Sequence, residues 1–205
     1  MRKIGIDFDN TIISYDELFF ERLSLTPFAN ATIQPHKNSI REYLRSCEDG
    51  ELAWQALQLE VYGRHIDLAP VSKGFSNFLT NCIDQDIEIF VVSHKTRFAA
   101  QDHIQECDLI ERAKSWLVAH SLVSDYGPIK SQNVFFEPTR SEKICRIREI
   151  GCEIFVDDLM EVFLDPIFPD NVKPILFDPH DKSSNVNGLI RVRSWHELKI
   201  KLRKR

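Results

Sequence analysis

The feature that most constrains this chain lies almost at its N-terminus, where the apolar run 4–6 is followed by Asp7, Phe8 and Asp9. A short apolar run that ends in two carboxylates predicts a buried strand with acids at its carboxyl edge. Because side chains alternate along an extended chain, Asp7 and Asp9 are expected on one side and Phe8 on the other. Ligands of open α/β sheets bind outside the carboxyl ends of strands, so this position suits catalysis. Taken alone, the pair is equally typical of an Asx-turn that closes a strand.

The rest of the chain alternates between strand and helix patterns. Five further apolar runs predict strands at 87–92, 134–136, 154–156, 175–177 and 189–192. A helical region is predicted over 97–122. A separate helix is predicted directly before Gly151, which is a suitable C-cap for that helix. Ser194 and Glu197 form a capping box that opens a last helix, after a polar loop over 178–187. This order predicts an α/β fold with a doubly wound, mostly parallel sheet and helices on both faces.

Residues 14–67 contain helix patterns but no strand pattern. A first helix is predicted over 15–25, and Ser39 and Glu42 have the spacing of a capping box that begins a second helix. We therefore predict an α/β core made of 1–13 and 68–205, with a small helical insertion at 14–67. The alternative is that these helices merely decorate the edge of the core.

Composition limits the partners and the compartment. The chain has 205 residues, which is enough for one α/β domain with a small insertion, and a net charge of −5, which argues against nucleic acid as a partner. No apolar run reaches membrane-spanning length and no leader precedes the first strand, so no membrane partner is expected. Five scattered cysteines without a CxxC pair are typical of reduced thiols in a cytoplasmic protein. The basic end, 202–205, is expected to be a solvated tail, and the sequence does not indicate an oligomeric state.

Three more polar signals lie at strand ends or helix starts. They are Ser93 after the second strand run, Lys143 in the helix before the fourth, and the pair Asp157-Asp158 after the fourth. Each has an ordinary alternative: Ser93 can simply end a strand, and the acidic pair can cap the next helical turn. Lys143 competes as the site's cation with Lys95, Lys130 and Arg140, and Glu161 could replace Asp158.

Taken in order, these signals resemble the motifs of the haloacid dehalogenase (HAD) superfamily of aspartate-nucleophile phosphohydrolases. Those motifs are D-x-D-x-T/V, a Ser or Thr, a Lys and an acidic pair, and their counterparts here span residues 7–158. The resemblance implies a Rossmann-like HAD core and identifies 14–67 as a small helical cap that closes over the site. Val156 stands where the family often has Gly. This difference affects how closely the backbone can approach at that position, and it does not change the metal ligands. Retention of Asp9 disfavours the dehalogenating branch, which lacks that acid.

The resemblance also implies a role for each matching residue. Asp7 would be the nucleophile, Asp9 the general acid and then the general base, and Ser93 and Lys143 would bind the phosphoryl group. The implied cofactor is Mg²⁺, with Asp7, Asp9 through its backbone carbonyl, Asp157 and Asp158 as its ligands. We therefore expect a magnesium-dependent phosphatase that hydrolyses a small phosphorylated metabolite through an aspartyl-phosphate. The alternatives are a phosphotransferase on the same scaffold and a catalytically quiet binding or regulatory protein.

Overall fold

A computed structural model describes residues 2–181 and 188–203 of the chain. Part of the predicted polar loop, 182–187, and the end of the predicted basic tail, 204–205, lie outside the described residues. The chain divides into two compact units. The first comprises Met1–Ile12, Val71–Lys95 and His120–Arg205, and the second comprises Ile13–Pro70 and Thr96–Ala119.

The first unit contains a six-stranded sheet in which every neighbouring pair is parallel. Its strands are β1 (Arg2–Ile6), β2 (Ile87–His94), β3 (Val134–Glu137), β4 (Ile154–Asp157), β5 (Lys173–Phe177) and β6 (Ile190–Val192). All six predicted strands are confirmed, and so is the α/β fold class. The strand order is β3-β2-β1-β4-β5-β6, so the chain reverses direction across the sheet between β1 and β4. Such a switch point is where open α/β sheets bind their ligands.

The described residues form eight α-helices. They are α1 (Asp16–Ser24), α2 (Lys37–Ser46), α3 (Gly50–Leu59), α4 (Phe75–Asp84), α5 (Leu109–Ala119), α6 (Arg140–Ile150), α7 (Met160–Phe163) and α8 (Trp195–Arg203). In the first unit, Ile144 and Ile147 of α6 belong to a buried cluster with Phe90 and Val92 of β2. Val91 points to the opposite face of β2 and is also fully buried, so both faces of the sheet are covered.

The second unit contains α1, α2, α3 and α5, and no strand among its described residues. Its core is aromatic: Phe19 stacks on Trp54 at 5.1 Å between ring centroids, and Tyr62 contacts Phe19 edge-on at 5.4 Å. The indole N–H of Trp116 in α5 donates a hydrogen bond to the carbonyl of Ala69 at 2.9 Å. Residues 96–119, which the predicted organisation placed with the core, therefore belong to the same compact unit as 13–70. The role of 14–67 as a cap stays a prediction.

Two helix boundaries differ from the prediction for identifiable reasons. The helical region predicted over 97–122 is wrong in its first half, because α5 begins at Leu109. The backbone N–H groups of Ile110 and Glu111 each donate a hydrogen bond of 3.1 Å to the Asp108 side chain. These two bonds fix the start of α5. The predicted capping box at Ser39 is also wrong, because α2 already begins at Lys37.

No helix in the described part of the chain combines the length and apolar character needed to cross a membrane.

Candidate active site

Three adjacent strands bring the predicted site residues to one edge of the sheet. Asp7 directly follows β1, Ser93 is the next-to-last residue of β2, and Asp157 is the last residue of β4. Because β1 lies between β2 and β4 and all three are parallel, their carboxyl ends meet. The backbone N–H of Asp7 donates to the carbonyl of Val156 at 2.8 Å, which holds Asp7 at the β1/β4 switch point.

Lys143 is presented to this edge by the first turn of α6. Thr139 is the N-cap of that helix: its hydroxyl accepts the Glu142 N–H at 3.2 Å and donates to the Glu142 carboxylate at 2.7 Å. Ile144 and Ile147, both fully buried, anchor the same helix in the core. A capped start and an apolar face thus fix where the Lys143 side chain enters the site.

Lys143 joins two of the predicted carboxylates. Its ammonium group lies 2.5 Å from Asp7 Oδ1 and 2.6 Å from Asp157 Oδ2. Lys143 and Asp157 are completely inaccessible to solvent, and Asp7 is 3% exposed. Burial of an ammonium group is tolerated only with such partners, so the three side chains form one unit.

The charges of this unit perturb the pKa values of its members. Burial lowers the pKa of Lys143, but the adjacent Asp157 and Asp7 carboxylates raise it by more, so the net shift is upward and the ammonium group stays charged. Burial raises the pKa of Asp157 to about 7, although the attraction of Lys143 opposes the shift.

Oxygen atoms of Asp7, Asp157 and Asp158 all lie within 4.8 Å of one another. The cluster contains three carboxylates, and Lys143 contacts two of them, so it keeps an excess of negative charge when all three are ionised. An all-oxygen, carboxylate-rich donor set of this size fits Mg²⁺, which prefers hard oxygen ligands and retains waters. Glu161, the alternative to Asp158, is exposed on the short helix α7.

Asp157 and Asp158 also make local contacts. The Asp157 Oδ1 atom accepts the Leu159 N–H at 3.0 Å, but α7 begins at Met160 without a side-chain cap, so the predicted alternative of a helix-capping acidic pair is not observed. Asp158 Oδ2 accepts a hydrogen bond of 3.4 Å from the Asn10 side-chain amide. Asn10 has a positive φ of 55°, a left-handed conformation that asparagine tolerates better than most residues.

Sequence reasoning missed the partner of Asp9. The Lys95 ammonium group lies 2.7 Å from Asp9 Oδ2 and 3.0 Å from Asp9 Oδ1, and so contacts both carboxylate oxygens. From the sequence alone, Lys95 is only an alternative to Lys143 as the cation of the site. The available signal was its spacing: Lys95 stands two residues after Ser93 at the end of a strand, and alternation places both on one side of the chain.

The other candidates from the sequence, and His94 beside Ser93, occupy distinct environments. Ser93 is 1% exposed at the carboxyl end of β2. Burial, followed by the nearby charge of Lys143, lowers the pKa of His94, so this imidazole is uncharged at neutral pH. Arg140 forms an ion pair with Asp165 at 3.3 Å, and Lys130 is exposed. Among the four cations considered from the sequence, Lys143 is therefore the one that contacts Asp7.

Comparison with known proteins finds similarity at the level of structure. A HAD-superfamily hydrolase from Ehrlichia chaffeensis matches 100% of this chain and 98% of its own, with a TM-score of 0.57 and 15% identity. A protein described as a predicted phosphatase from Clostridium acetobutylicum gives a TM-score of 0.62 at 14% identity, covering 100% of this chain and 99% of its own. A phosphoserine phosphohydrolase-like protein from Francisella tularensis gives 0.56 at 15% identity, covering 98% and 100%. No family model and no curated protein matches the chain.

These similarities confirm the resemblance at the level of the fold. The chain adopts the fold of HAD-superfamily hydrolases, with a parallel Rossmann-like core that ends in a cluster of acids. Fold alone does not assign a reaction, so the activity is argued from the site.

Proposed function

We propose that this protein is a magnesium-dependent phosphohydrolase that cleaves a small phosphorylated metabolite through an aspartyl-phosphate on Asp7. The observation that carries the proposal is the buried unit in which Lys143 contacts both Asp7 and Asp157, with Asp9 two residues further along the chain. A phosphate ester repels an anionic nucleophile, so such a nucleophile needs fixed positive charge beside it. The site supplies that charge beside one carboxylate and a second carboxylate for proton transfer.

In the first step, an Asp7 oxygen attacks phosphorus and the bond from phosphorus to the ester oxygen breaks. The bonding electron pair goes to the leaving oxygen, which takes a proton from Asp9 and departs as an alcohol. In the second step, water attacks phosphorus, its proton goes to Asp9, and the electron pair of the breaking bond returns to Asp7. Lys143 balances the charge of Asp7 in both steps, and the Ser93 hydroxyl would donate to a phosphoryl oxygen.

Asp7, Asp157 and Asp158 would hold Mg²⁺, together with the backbone carbonyl of Asp9. When bound, the ion would neutralise charge on the phosphoryl oxygens as a Lewis acid. The residual negative charge of the carboxylate cluster supports this assignment, as does the absence of nitrogen and sulfur from its donor set.

We further propose that the helical segment 14–67 acts as a cap that selects small substrates. Chain connectivity supports this role. The chain passes from the first unit into the second after Ile12 and again after Lys95. Each of these points lies only a few residues beyond the end of a strand next to the site, β1 in the first case and β2 in the second. Substrate-contacting loops of α/β enzymes leave the sheet at such strand ends. A cytoplasmic location is proposed as well, because all five cysteines are unpaired.

The test is phosphate release from a panel of phosphorylated metabolites, measured with magnesium and again with a chelator. We expect release that requires magnesium and is abolished in the variant Asp7→Asn, which preserves the size of the side chain but removes the nucleophile. Release that persists in Asp7→Asn would refute the nucleophile assignment. Transfer of the phosphoryl group to added alcohols, with little free phosphate, would instead identify a phosphotransferase.

A further inference from the structure

The contact between Lys95 and Asp9 is a second ion pair, partly buried and separate from that of Lys143. The side chain of Lys95 is 4% exposed and that of Asp9 is 21% exposed. Asp9 is the more accessible partner, as a group that exchanges protons with substrate and water must be. Lys95 approaches it from the protein interior.

The structure also fixes the position of Lys95. Its backbone N–H donates to the carbonyl of Glu137, the last residue of β3, at 2.8 Å. Its ammonium group lies 5.8 Å from the centre of the buried Phe8 ring, within the range of a cation–π contact. A long, flexible side chain held in this way presents its ammonium group at a defined point.

The first contact extends the pairing of β2 with β3, and together the two contacts hold Lys95 where its ammonium group meets both oxygens of Asp9. We propose that Lys95 is a positioning residue, which holds the Asp9 carboxyl group in the orientation from which it transfers a proton to and from the reacting oxygen. This inference rests on the proposed function and extends it to a residue outside the motifs matched above.

The contact persists through the proton transfers. When one Asp9 oxygen carries the proton, the other still accepts a hydrogen bond from the Lys95 ammonium group. As the ester bond to phosphorus breaks, the protonated oxygen gives its proton to the leaving oxygen, and Asp9 becomes a carboxylate bound to Lys95 through both oxygens. Without Lys95, the Asp9 side chain can adopt other rotamers, and fewer of its conformations reach the leaving oxygen.

A general acid matters most when the leaving group is a poor one, which gives the proposal a specific readout. The experiment compares an alkyl phosphate from the metabolite panel with para-nitrophenyl phosphate, whose phenolate leaves without help from an acid. The quantity to compare is kcat/KM, because it reports the steps up to departure of the alcohol and excludes the later hydrolysis of the aspartyl-phosphate. The variants are Lys95→Met, Lys95→Gln, Asp9→Asn and the double variant Lys95→Met with Asp9→Asn.

We expect Lys95→Met to lower kcat/KM by about 100-fold for the alkyl phosphate and by only a few-fold for para-nitrophenyl phosphate. Lys95→Gln, which keeps one donor of similar reach, should fall between Lys95→Met and the wild type. In the Asp9→Asn background, Lys95→Met should cause less than about a two-fold further loss, since residues that act as one unit are not additive. The control is Lys130→Met, the same change at an exposed lysine of the same unit, which should leave both rates unchanged.

Two results would overturn the proposal while leaving the phosphatase assignment intact. One is an equal loss of kcat/KM on both substrates, with a double variant whose loss is the product of the two single losses. Lys95 would then act directly on the phosphoryl group and independently of Asp9. The other is no loss at all. If Lys95→Met does not fold, judged by circular dichroism, Lys95→Gln decides between the same outcomes. Turnover that is absent in the wild type, or retained in Asp7→Asn, would instead refute the phosphatase assignment and this inference together.

Discussion

Removing the buried ammonium group of Lys143 tests the electrostatic account of the site through stability alone. The variant Lys143→Met keeps an unbranched side chain of similar length but leaves the Asp7 and Asp157 carboxylates facing each other. In the wild type, each carboxylate lies within 2.6 Å of the Lys143 ammonium group. Neither can reorganise toward solvent, because Asp7 is 3% exposed and Asp157 is fully buried.

The expected magnitude follows from those distances. At an effective dielectric constant of about 20, each contact is worth roughly 6 kcal/mol of attraction. Desolvation of each ion offsets several kcal/mol of this, and removal of one partner of a buried ion pair typically costs about 3–5 kcal/mol. We therefore expect the free energy of unfolding to fall by about 3–5 kcal/mol. For a chain of this length the melting temperature should drop by roughly 6–20 °C.

The assay is urea unfolding followed by circular dichroism in the presence of a chelator, at about pH 9, well above the Asp157 pKa of about 7, where both carboxylates of the wild type are ionised. Lys130→Met, at an exposed lysine, serves as the matched control and should change stability by less than about 0.5 kcal/mol. Loss of Lys143 raises the Asp157 pKa further above its value of about 7, so the deficit should grow as the pH is raised from about 7 to about 9 and the wild type gains an ion pair that the variant lacks. A loss below about 1 kcal/mol, or a deficit independent of pH, would refute the reasoning.

Three further predictions concern the metal cluster and the helix that carries Lys143. The raised pKa of Asp157, about 7, means that the folded protein without metal holds a proton that the unfolded chain releases, so in chelator its stability should fall from about pH 4 to about pH 7. Asp157→Asn should flatten this pH dependence in urea unfolding, and an unchanged slope would contradict it. Asn10→Gly should keep the left-handed turn, and so change stability by less than about 1 kcal/mol. It should also weaken Mg²⁺ binding by about 10-fold through loss of the hydrogen bond to Asp158; unchanged affinity in calorimetry would contradict that role. Thr139→Ala should lower the free energy of unfolding by about 1 kcal/mol through loss of the N-cap of α6, and a loss below a few tenths would argue against the cap.

The sheet could be predicted from the sequence because its signals are local. Each strand is a short apolar run bounded by polar or turn residues, and parallel strands buried on both faces give such runs. The acids at the ends of β1 and β4 could be placed for the same reason, since a strand's end fixes the edge at which its last residues lie. The cap of α8 was equally local, and Ser194 Oγ accepts the Glu197 N–H at 3.1 Å as predicted.

The features that were missed depend on contacts between residues far apart in the chain. The N-terminus of α2 is fixed by Asp16, whose carboxylate accepts the Lys37 N–H at 2.8 Å from 21 residues away. The local pattern at Ser39 therefore gave the wrong start. The pairing of Lys95 with Asp9 spans 86 residues, and only the parallel register of β1 and β2 brings the two together. Both were decided by tertiary structure, which a local pattern does not encode.

The start of α5 is a different case, because its signal was local and was overlooked. Asp108 followed by Glu111 has the spacing of a capping box, and the Asp108 side chain does accept the Glu111 N–H. The helical region predicted over 97–122 runs through this start signal without a boundary. In such a stretch, a capping residue is better evidence for a boundary than periodicity is.

The central claim is that Asp7 becomes covalently phosphorylated during turnover. The most direct measurement is to quench the enzyme in acid during hydrolysis of a substrate found in the panel, digest it, and identify the phosphorylated peptide by mass spectrometry. Our account predicts one phosphoryl group on the peptide that contains Asp7, removable by hydroxylamine as an acyl-phosphate is, and absent from Asp7→Asn. Turnover without label on that peptide, or label on a different residue, would contradict it.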